Sequence, residues 1–144
     1  MRLLIDTNVI LDYILARKGF REDAKRIFEL AAYDQAYEFV SSSALTDIFY
    51  HMNKSLRNSY ETQDKLRELL ELISVLDVTG HTIQKALDLH WADFEDAVQY
   101  AAALENDVDC IITRNGNDFE KREIPVLSPA EFLEGLDESI PFRF

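Results

Sequence analysis

The chain has few of the residues that would stabilise or anchor it by special means. Of its 144 residues only one is cysteine, four are glycine and three are proline. The single cysteine, Cys110, excludes an internal disulfide and a multi-cysteine zinc site, and its apolar neighbours predict a buried thiol. No apolar run approaches the roughly 18 residues of a membrane span, and no signal peptide is visible. These absences favour a globular protein in a reducing, cytoplasmic setting.

Basic residues are also scarce. Fifteen Lys and Arg residues stand against 27 Asp and Glu residues, which gives a formal net charge of −12. This balance disfavours nonspecific binding to nucleic acid, because such binding relies on Lys and Arg to neutralise phosphates. It leaves open a nucleic-acid enzyme whose acidic site is bridged to phosphate by metal ions, and it favours a basic partner.

Short apolar segments alternate with segments of helical periodicity along the chain. Strands are predicted at 3–5, 37–40, 75–78, 110–113 and 125–127. Helices are predicted at 9–15, 22–33, 41–57, 66–73, 82–89 and 94–105, with another opening at 128 and an irregular tail after Gly135. This alternation predicts an α/β fold: a three-layer α/β/α arrangement around a central, mostly parallel sheet of four to five strands. Residues 1–144 are expected to form a single domain.

Acidic residues recur where the predicted elements begin or end. Asp6 follows the first strand, and Asp47 lies in the helix after the second strand. Asp96 lies in the first turn of the helix before the Cys110 strand, and Asp118 lies just past that strand. Because sites in open α/β sheets form beyond the carboxyl ends of the strands, all four acids are predicted to reach one edge. Carboxylates that cluster in this way need a cation, and oxygen ligands select Mg²⁺ or Mn²⁺ over zinc.

Each acid also has a purely structural interpretation. Asp6 can cap the helix that follows it, and Asp93 is a candidate N-cap with Asp96 three residues later. Asp118 fits a turn, and Asp47 points away from the apolar stripe of its helix, as a solvated residue would. The three histidines show no metal-binding spacing, so ordinary surface or core positions are predicted for them.

Four segments match the motifs of one protein family in its order and spacing. They are I-D-T-N-V-I-L-D at 5–12, S-S-S-A-L-T-D-I at 41–48, D-F-E-D-A-V-Q-Y-A-A-A at 93–103 and I-I-T-R-N-G-N-D-F at 111–119. With these segments the chain resembles the PIN-domain family of metal-dependent ribonucleases, which includes the VapC-type toxins of toxin–antitoxin pairs. The resemblance spans nearly the whole chain.

The resemblance implies an endoribonuclease that hydrolyses RNA phosphodiester bonds with water activated by one or two Mg²⁺ or Mn²⁺ ions. The products would carry a 3′-hydroxyl and a 5′-phosphate. The implied catalytic and metal-binding residues are Asp6, Asp47, Asp96 and Asp118. The polar groups implied beside them are Asn8, Thr113 and Asn115. Candidate phosphate contacts are Arg17, Lys18, Lys25, Arg26, Lys54, Arg57 and Arg114.

The chain departs from the family pattern at two places. Asp47 stands where the family usually has glutamate, and its shorter side chain favours ligation through water. Asn115 stands where the fourth acid commonly follows Thr-Arg, and Asp118 comes three residues later. The resemblance further implies a small antitoxin, with a basic or aromatic segment inserted into the acidic groove, and a homodimer.

Two other function classes remain as alternatives. A PIN fold with a weakened catalytic site would be a binding module that docks a protein or RNA partner, and the departures at Asp47 and Asn115 favour it. Phosphoryl transfer to aspartate is disfavoured. The haloacid-dehalogenase pattern needs D-x-D where this chain has Asn8, and a receiver domain needs a lysine that is missing from 126–128.

Overall fold

The computed structural model describes residues 1–120 and 123–139. The strands in these ranges are β1 (Arg2–Ile5), β2 (Tyr37–Ser41), β3 (Ser74–Leu76), β4 (Cys110–Ile112) and β5 (Val126–Leu127). The helices are α1 (Thr7–Ile14), α2 (Arg21–Ala32), α3 (Leu45–Leu56), α4 (Ser59–Leu72), α5 (Gly80–Leu89), α6 (Phe94–Glu105) and α7 (Pro129–Ser139). Short 3₁₀ turns lie at Ser42–Ala44 and Gly116–Asp118.

The five strands form one parallel sheet in the order β3-β2-β1-β4-β5. In the central strand β1, Leu3 lies opposite Glu38 of β2 on one side and Cys110 of β4 on the other. Leu3, Leu4 and Ile5 are all fully buried, as a strand covered on both faces requires. The predicted α/β fold with a parallel central sheet is confirmed.

Helices cover both faces of the sheet. Leu3 and Ile5 belong to the core that the sheet forms with α1, α2, α3, α4 and α7. Leu4 packs on the opposite face, in a core with Tyr100 of α6, and α5 packs against α6. Because every strand runs in the same direction, the carboxyl ends of the strands share one edge of the sheet.

Most predicted elements are confirmed to within a few residues, but the helix predicted at 66–73 is longer. It begins at Ser59, because Asn58 caps it: the Asn58 Oδ1 accepts the backbone N–H groups of Tyr60 and Glu61, each at 3.1 Å. An asparagine before a polar first turn is a common helix start, although no apolar periodicity marks it.

The irregular tail expected after Gly135 is wrong for the described residues. Helix α7 continues to Ser139, and residues 140–144 lie outside the described part of the chain. Leu136 packs against the core that α2 shares, and Asp137 lies 3.5 Å from Arg26 of α2, so contacts with the α2 layer hold the helix beyond the glycine.

Cys110 lies in β4 and is buried, as predicted. Burial raises the pKa of its thiol to about 12, so the reactive thiolate is not available at neutral pH. None of the helices in the described part of the chain combines the length and the hydrophobicity of a membrane span.

Candidate metal centre

Asp6 lies directly after the central strand and is only 6% exposed. Its Oδ1 accepts the backbone N–H of Thr7 at 2.7 Å, so it caps α1, and also the side-chain amide of Gln99 at 2.8 Å. Its Oδ2 accepts the hydroxyl of Thr113 at 2.7 Å and, more distantly, the amide of Asn8 at 3.4 Å. Four donors from three separate chain segments thus fix the orientation of one carboxylate.

The loop after β4 is hydrogen-bonded to the start of α1. The Thr113 Oγ1 accepts the amide N–H of Asn8 at 3.2 Å and the backbone N–H of Asn115 at 3.1 Å. The Asn8 Oδ1 in turn accepts the backbone N–H of Arg114 at 3.1 Å. The three polar residues implied by the resemblance, Asn8, Thr113 and Asn115, therefore lie beside Asp6 in one network.

The start of α6 carries two further acids to the same edge. The Asp93 Oδ1 accepts the backbone N–H of Asp96 at 3.0 Å, which confirms Asp93 as the N-cap of α6. Asp118 comes from the 3₁₀ turn after β4. Asp93, Asp96 and Asp118 can each present one carboxylate oxygen, and these oxygens lie within 4.8 Å of one another.

These carboxylates line one open cavity of about 320 Å³. The acids that line it are Asp6, Asp93, Glu95, Asp96 and Asp118, with Arg17 and His51 at the same surface. A second cavity of about 560 Å³ shares Asp93 and Asp118 with the first. The acidic edge thus lies on two adjoining open cavities rather than in a closed pocket.

The electrostatics of this cavity show an excess of negative charge. Burial, followed by the nearby carboxylates of Asp6, Asp93, Asp118 and Glu95, raises the pKa of Asp96 to about 8. Burial and neighbouring acids likewise raise the pKa of Glu95. Within residues 1–120 and 123–139, no Lys or Arg forms an ion pair with Asp6, Asp93, Asp96 or Asp118.

A hard divalent cation fits this set of side chains. The candidate ligands are all carboxylate oxygens, which Mg²⁺ and Mn²⁺ prefer, and a cation there would remove the repulsion that raises the Asp96 pKa. Zinc prefers sites with several nitrogen or sulfur ligands, whereas His51 is the one such side chain in the described lining and Cys110 is buried in β4.

Asp47 lies beside this cluster without lining the cavity, and after burial its carboxylate is the largest cause of the raised pKa of Glu95. It is in the first turn of α3, its side chain is 48% exposed, and its Oδ1 lies 3.5 Å from the Nε2 of His51. His51 lines the cavity whereas Asp47 does not. The structure therefore brings together three of the four predicted acids, Asp6, Asp96 and Asp118, and leaves Asp47 at the periphery.

Arg114, a candidate phosphate contact, already forms an ion pair with Asp12. Its Nε and Nη2 donate to the two carboxylate oxygens of Asp12 at 2.6 and 3.0 Å, and its guanidinium lies 3.9 Å from the ring centre of Phe20. Arg17 is a better candidate, since it lines the acidic cavity and only its Nη1 approaches Asp12, at 3.5 Å.

Gln99 is the buried contact of Asp6 that sequence reasoning missed. It lies in a segment that reads as a plain alanine-rich helix, and its partner is 93 positions away. The available signal was its spacing: Gln99 follows Asp96 by three residues, so both side chains lie on one face of α6.

The sequence itself matches a family model. The model of the PIN domain covers residues 2–117. The chain belongs to the PIN-domain family. The matched range includes Asp6, Asp47, Asp96 and the whole network around Thr113. Among curated proteins, none matches this sequence.

Solved structures of toxin–antitoxin proteins share the fold of this PIN domain. A toxin–antitoxin complex from Klebsiella pneumoniae has 20% identity and a TM-score of 0.67, covering 88% of this chain and 97% of that chain. VapBC2 from Rickettsia felis, bound to a DNA fragment from its promoter, has 17% identity and a TM-score of 0.69, with the same coverage of both chains. VapC20 from Mycobacterium tuberculosis, a toxin that cleaves the Sarcin-Ricin loop, has 16% identity and a TM-score of 0.63, covering 81% and 92%.

Proposed function

We propose that this PIN domain is a metal-dependent endoribonuclease and the toxin of a toxin–antitoxin pair. The observation that carries the proposal is the meeting of Asp6, Asp96 and Asp118, from three separate segments, in one acidic cavity. Membership of the PIN-domain family supports nuclease chemistry. VapC20, a toxin of similar fold that cleaves the Sarcin-Ricin loop, supports RNA as the substrate.

In this proposal Asp6, Asp96 and Asp118 hold Mg²⁺ or Mn²⁺, with Asp93 beside them. Such an ion activates water and neutralises charge on the phosphodiester. The contribution of the protein is to fix the carboxylates: Thr113 and Gln99 hold Asp6 from both sides, and the Asp93 cap holds the first turn of α6, which carries Asp96. Asp47 lies outside the cavity lining, so we assign it contact with the ion only through water.

The groups around the cavity suit a single RNA strand. Arg17 lines the acidic cavity and is half-exposed, so it can donate to a phosphate oxygen beside the metal ligands. The adjoining cavity is lined by Phe94 and Asn117, and the ring of Phe94 is exposed. Aromatic faces and amide groups are what proteins use to stack and hydrogen-bond unpaired bases. We propose that the strand crosses both cavities.

We further propose that a small antitoxin covers these two cavities. The similar structures from Klebsiella and Rickettsia are toxin–antitoxin proteins. With a net charge of −12, this chain would favour a partner segment that carries basic or aromatic residues. A homodimer and a cytoplasmic location complete the proposal.

The test is hydrolysis of RNA by the purified protein in the presence of Mn²⁺ or Mg²⁺. Asp6→Asn keeps the shape of the side chain but removes its charge, so we expect it to abolish cleavage. Asp88→Asn, at an exposed position on α5 that lines neither cavity, is the matched control and should cleave at the native rate. Full activity of Asp6→Asn would contradict the proposal.

A binding module is the second candidate, favoured by the peripheral position of Asp47 and by Asn115 in place of an acid. The two candidates differ in metal binding. Calorimetric titration with Mn²⁺ should show binding to the native protein if it is a nuclease. Failure to bind either Mn²⁺ or Mg²⁺ would favour a domain that only docks a protein or RNA partner.

A further inference from the structure

Gln99 is fully buried in the middle of α6, yet it is polar. Its Nε2 donates to the Oδ1 of Asp6 at 2.8 Å. Its Oε1 is buried and has no hydrogen-bond donor among the described residues. An apolar side chain of the same size would fill this space without leaving a buried carbonyl unpaired, so the amide is explained by its contact with Asp6 rather than by packing.

The two oxygens of Asp6 are held unequally. Oδ1 has two short contacts, from Thr7 at 2.7 Å and from Gln99 at 2.8 Å, which fill both of its lone-pair positions. Oδ2 has one short contact, from Thr113 at 2.7 Å, and one long contact, from Asn8 at 3.4 Å. Oδ2 therefore keeps the only weakly held position of this carboxylate among the described contacts, on the side of Asn8, which lines the acidic cavity.

We propose that Gln99 is a positioning residue: it holds Oδ1 of Asp6 and thereby presents Oδ2 to a divalent cation. This inference rests on the proposed function, because it needs the cation site. The end of an aspartate side chain rotates readily about its last torsion, and either oxygen can then turn toward the cavity. Gln99 and Thr7 prevent that rotation from one side while Thr113 prevents it from the other.

The experiment is calorimetric titration of the full chain with Mn²⁺, comparing Gln99→Met with Tyr100→Phe. Gln99→Met keeps the side-chain volume and removes the donor, so we expect the dissociation constant for Mn²⁺ to rise about ten- to a hundredfold. Tyr100→Phe is the matched control on the same helix. It removes a buried hydroxyl that accepts the backbone N–H of Glu123 at 2.8 Å and is not among the donors to Asp6, so it should keep the native affinity.

A second comparison separates positioning from general weakening of the core. If Gln99 acts through Asp6, adding Gln99→Met to Asp6→Asn should change the Mn²⁺ affinity no further. Gln99→Leu serves as the second variant if Gln99→Met does not fold. Native Mn²⁺ affinity in either folded Gln99 variant would overturn the proposal. So would failure of both variants to fold while Tyr100→Phe folds, because Gln99 would then be a core residue alone.

The outcomes also distinguish this inference from the proposed function. In one outcome the native protein binds Mn²⁺ with an affinity that depends on Gln99 and Asp6 and yet does not cleave RNA. That result would overturn the proposed nuclease activity and leave the positioning role in place. A native protein that cleaves RNA, with Mn²⁺ affinity unchanged in Gln99→Met, would overturn the positioning role alone. A native protein that binds no divalent cation would overturn both.

Discussion

Arg114 and Asp12 form an ion pair between the loop after β4 and helix α1, with N–O distances of 2.6 and 3.0 Å. Asp12 is 1% exposed, so its charge is almost fully removed from water. The backbone N–H of Arg114 also donates to Asn8, one turn earlier in α1. The pair therefore holds the segment that carries Thr113 and Asn115 against the helix that Asp6 caps.

Arg114→Met should destabilise the protein strongly. Among the described residues it leaves the buried carboxylate of Asp12 with only the 3.5 Å contact from Arg17, and removing one partner of a buried pair costs about 3 kcal/mol or more. The measurement is urea unfolding at neutral pH. Arg26→Met is the control, because it breaks a half-exposed pair with Asp137 and should cost well under about 1 kcal/mol. Equal losses for the two variants would contradict the buried role of Asp12.

Glu38 gives a pH dependence of stability that is separate from the site. It lies in β2, is 3% exposed, and neither carboxylate oxygen has a hydrogen-bond partner among the described residues. Burial raises its pKa from 4.5 to about 8. The pKa of Glu38 is higher in the folded than in the unfolded chain. Its contribution to the free energy of unfolding is therefore fully present below about pH 4.5 and is lost as the pH rises toward 8.

Glu38→Gln should remove this dependence while keeping the shape of the side chain. At pH 5 the variant and the native protein should have similar free energies of unfolding. At pH 8.5 the variant should be more stable, by an amount on the order of a few kcal/mol. Urea unfolding of both proteins at the two pH values measures the difference, in which the titration of other groups cancels. A native protein as stable as the variant at pH 8.5 would show that Glu38 is not buried unpaired.

Divalent cations should stabilise the folded protein. At a hundredfold excess over its dissociation constant, Mn²⁺ should add about 2.7 kcal/mol, or roughly 5–10 °C in melting temperature. The rise should disappear with a chelator and in Asp96→Asn, and it should persist in Asp88→Asn. An unchanged melting temperature of the native protein across the titration would count against a cation site.

Asp47 should matter less for the cation than the acids that line the cavity. Since its half-exposed side chain does not line the cavity and contacts only His51 at its edge among the described residues, Asp47→Asn should change the Mn²⁺ affinity by only a few fold. Asp96→Asn should reduce that affinity much more. Calorimetry on the two variants under identical conditions makes the comparison. Equal losses would show that Asp47 reaches the ion as closely as Asp96 does.

The parallel sheet, and the edge of the sheet at which the site lies, could be predicted from the sequence. The apolar run Leu3 to Ile5 predicts a buried parallel strand, and an acid directly after it must lie at the carboxyl edge of the sheet. The N-cap signature of Asp93 and the position of Asp96 in the first turn of α6 follow from local rules alone. Each of these predictions depends on neighbours in sequence, and local geometry decides them.

What escaped prediction depends on contacts between distant segments. In the sequence, Gln99 is an ordinary polar residue of a helix. Its contact with Asp6 forms only because α6 packs on β1. Asp47 has a suitable position along the chain, but in the folded protein its side chain lies beside His51 and is not part of the cavity lining. Arg114 is a free cation in the sequence and becomes the partner of Asp12 only when the β4 loop meets α1.

The most direct test of the central claim is the initial rate of RNA cleavage with saturating Mn²⁺, compared between the native chain, Asp96→Asn and Asp88→Asn. We predict cleavage by the native protein, a rate lower by on the order of a hundredfold in Asp96→Asn, and the native rate in Asp88→Asn. Equal rates for Asp96→Asn and the native protein, or no cleavage by the native protein, would contradict a nuclease centred on this acidic cavity.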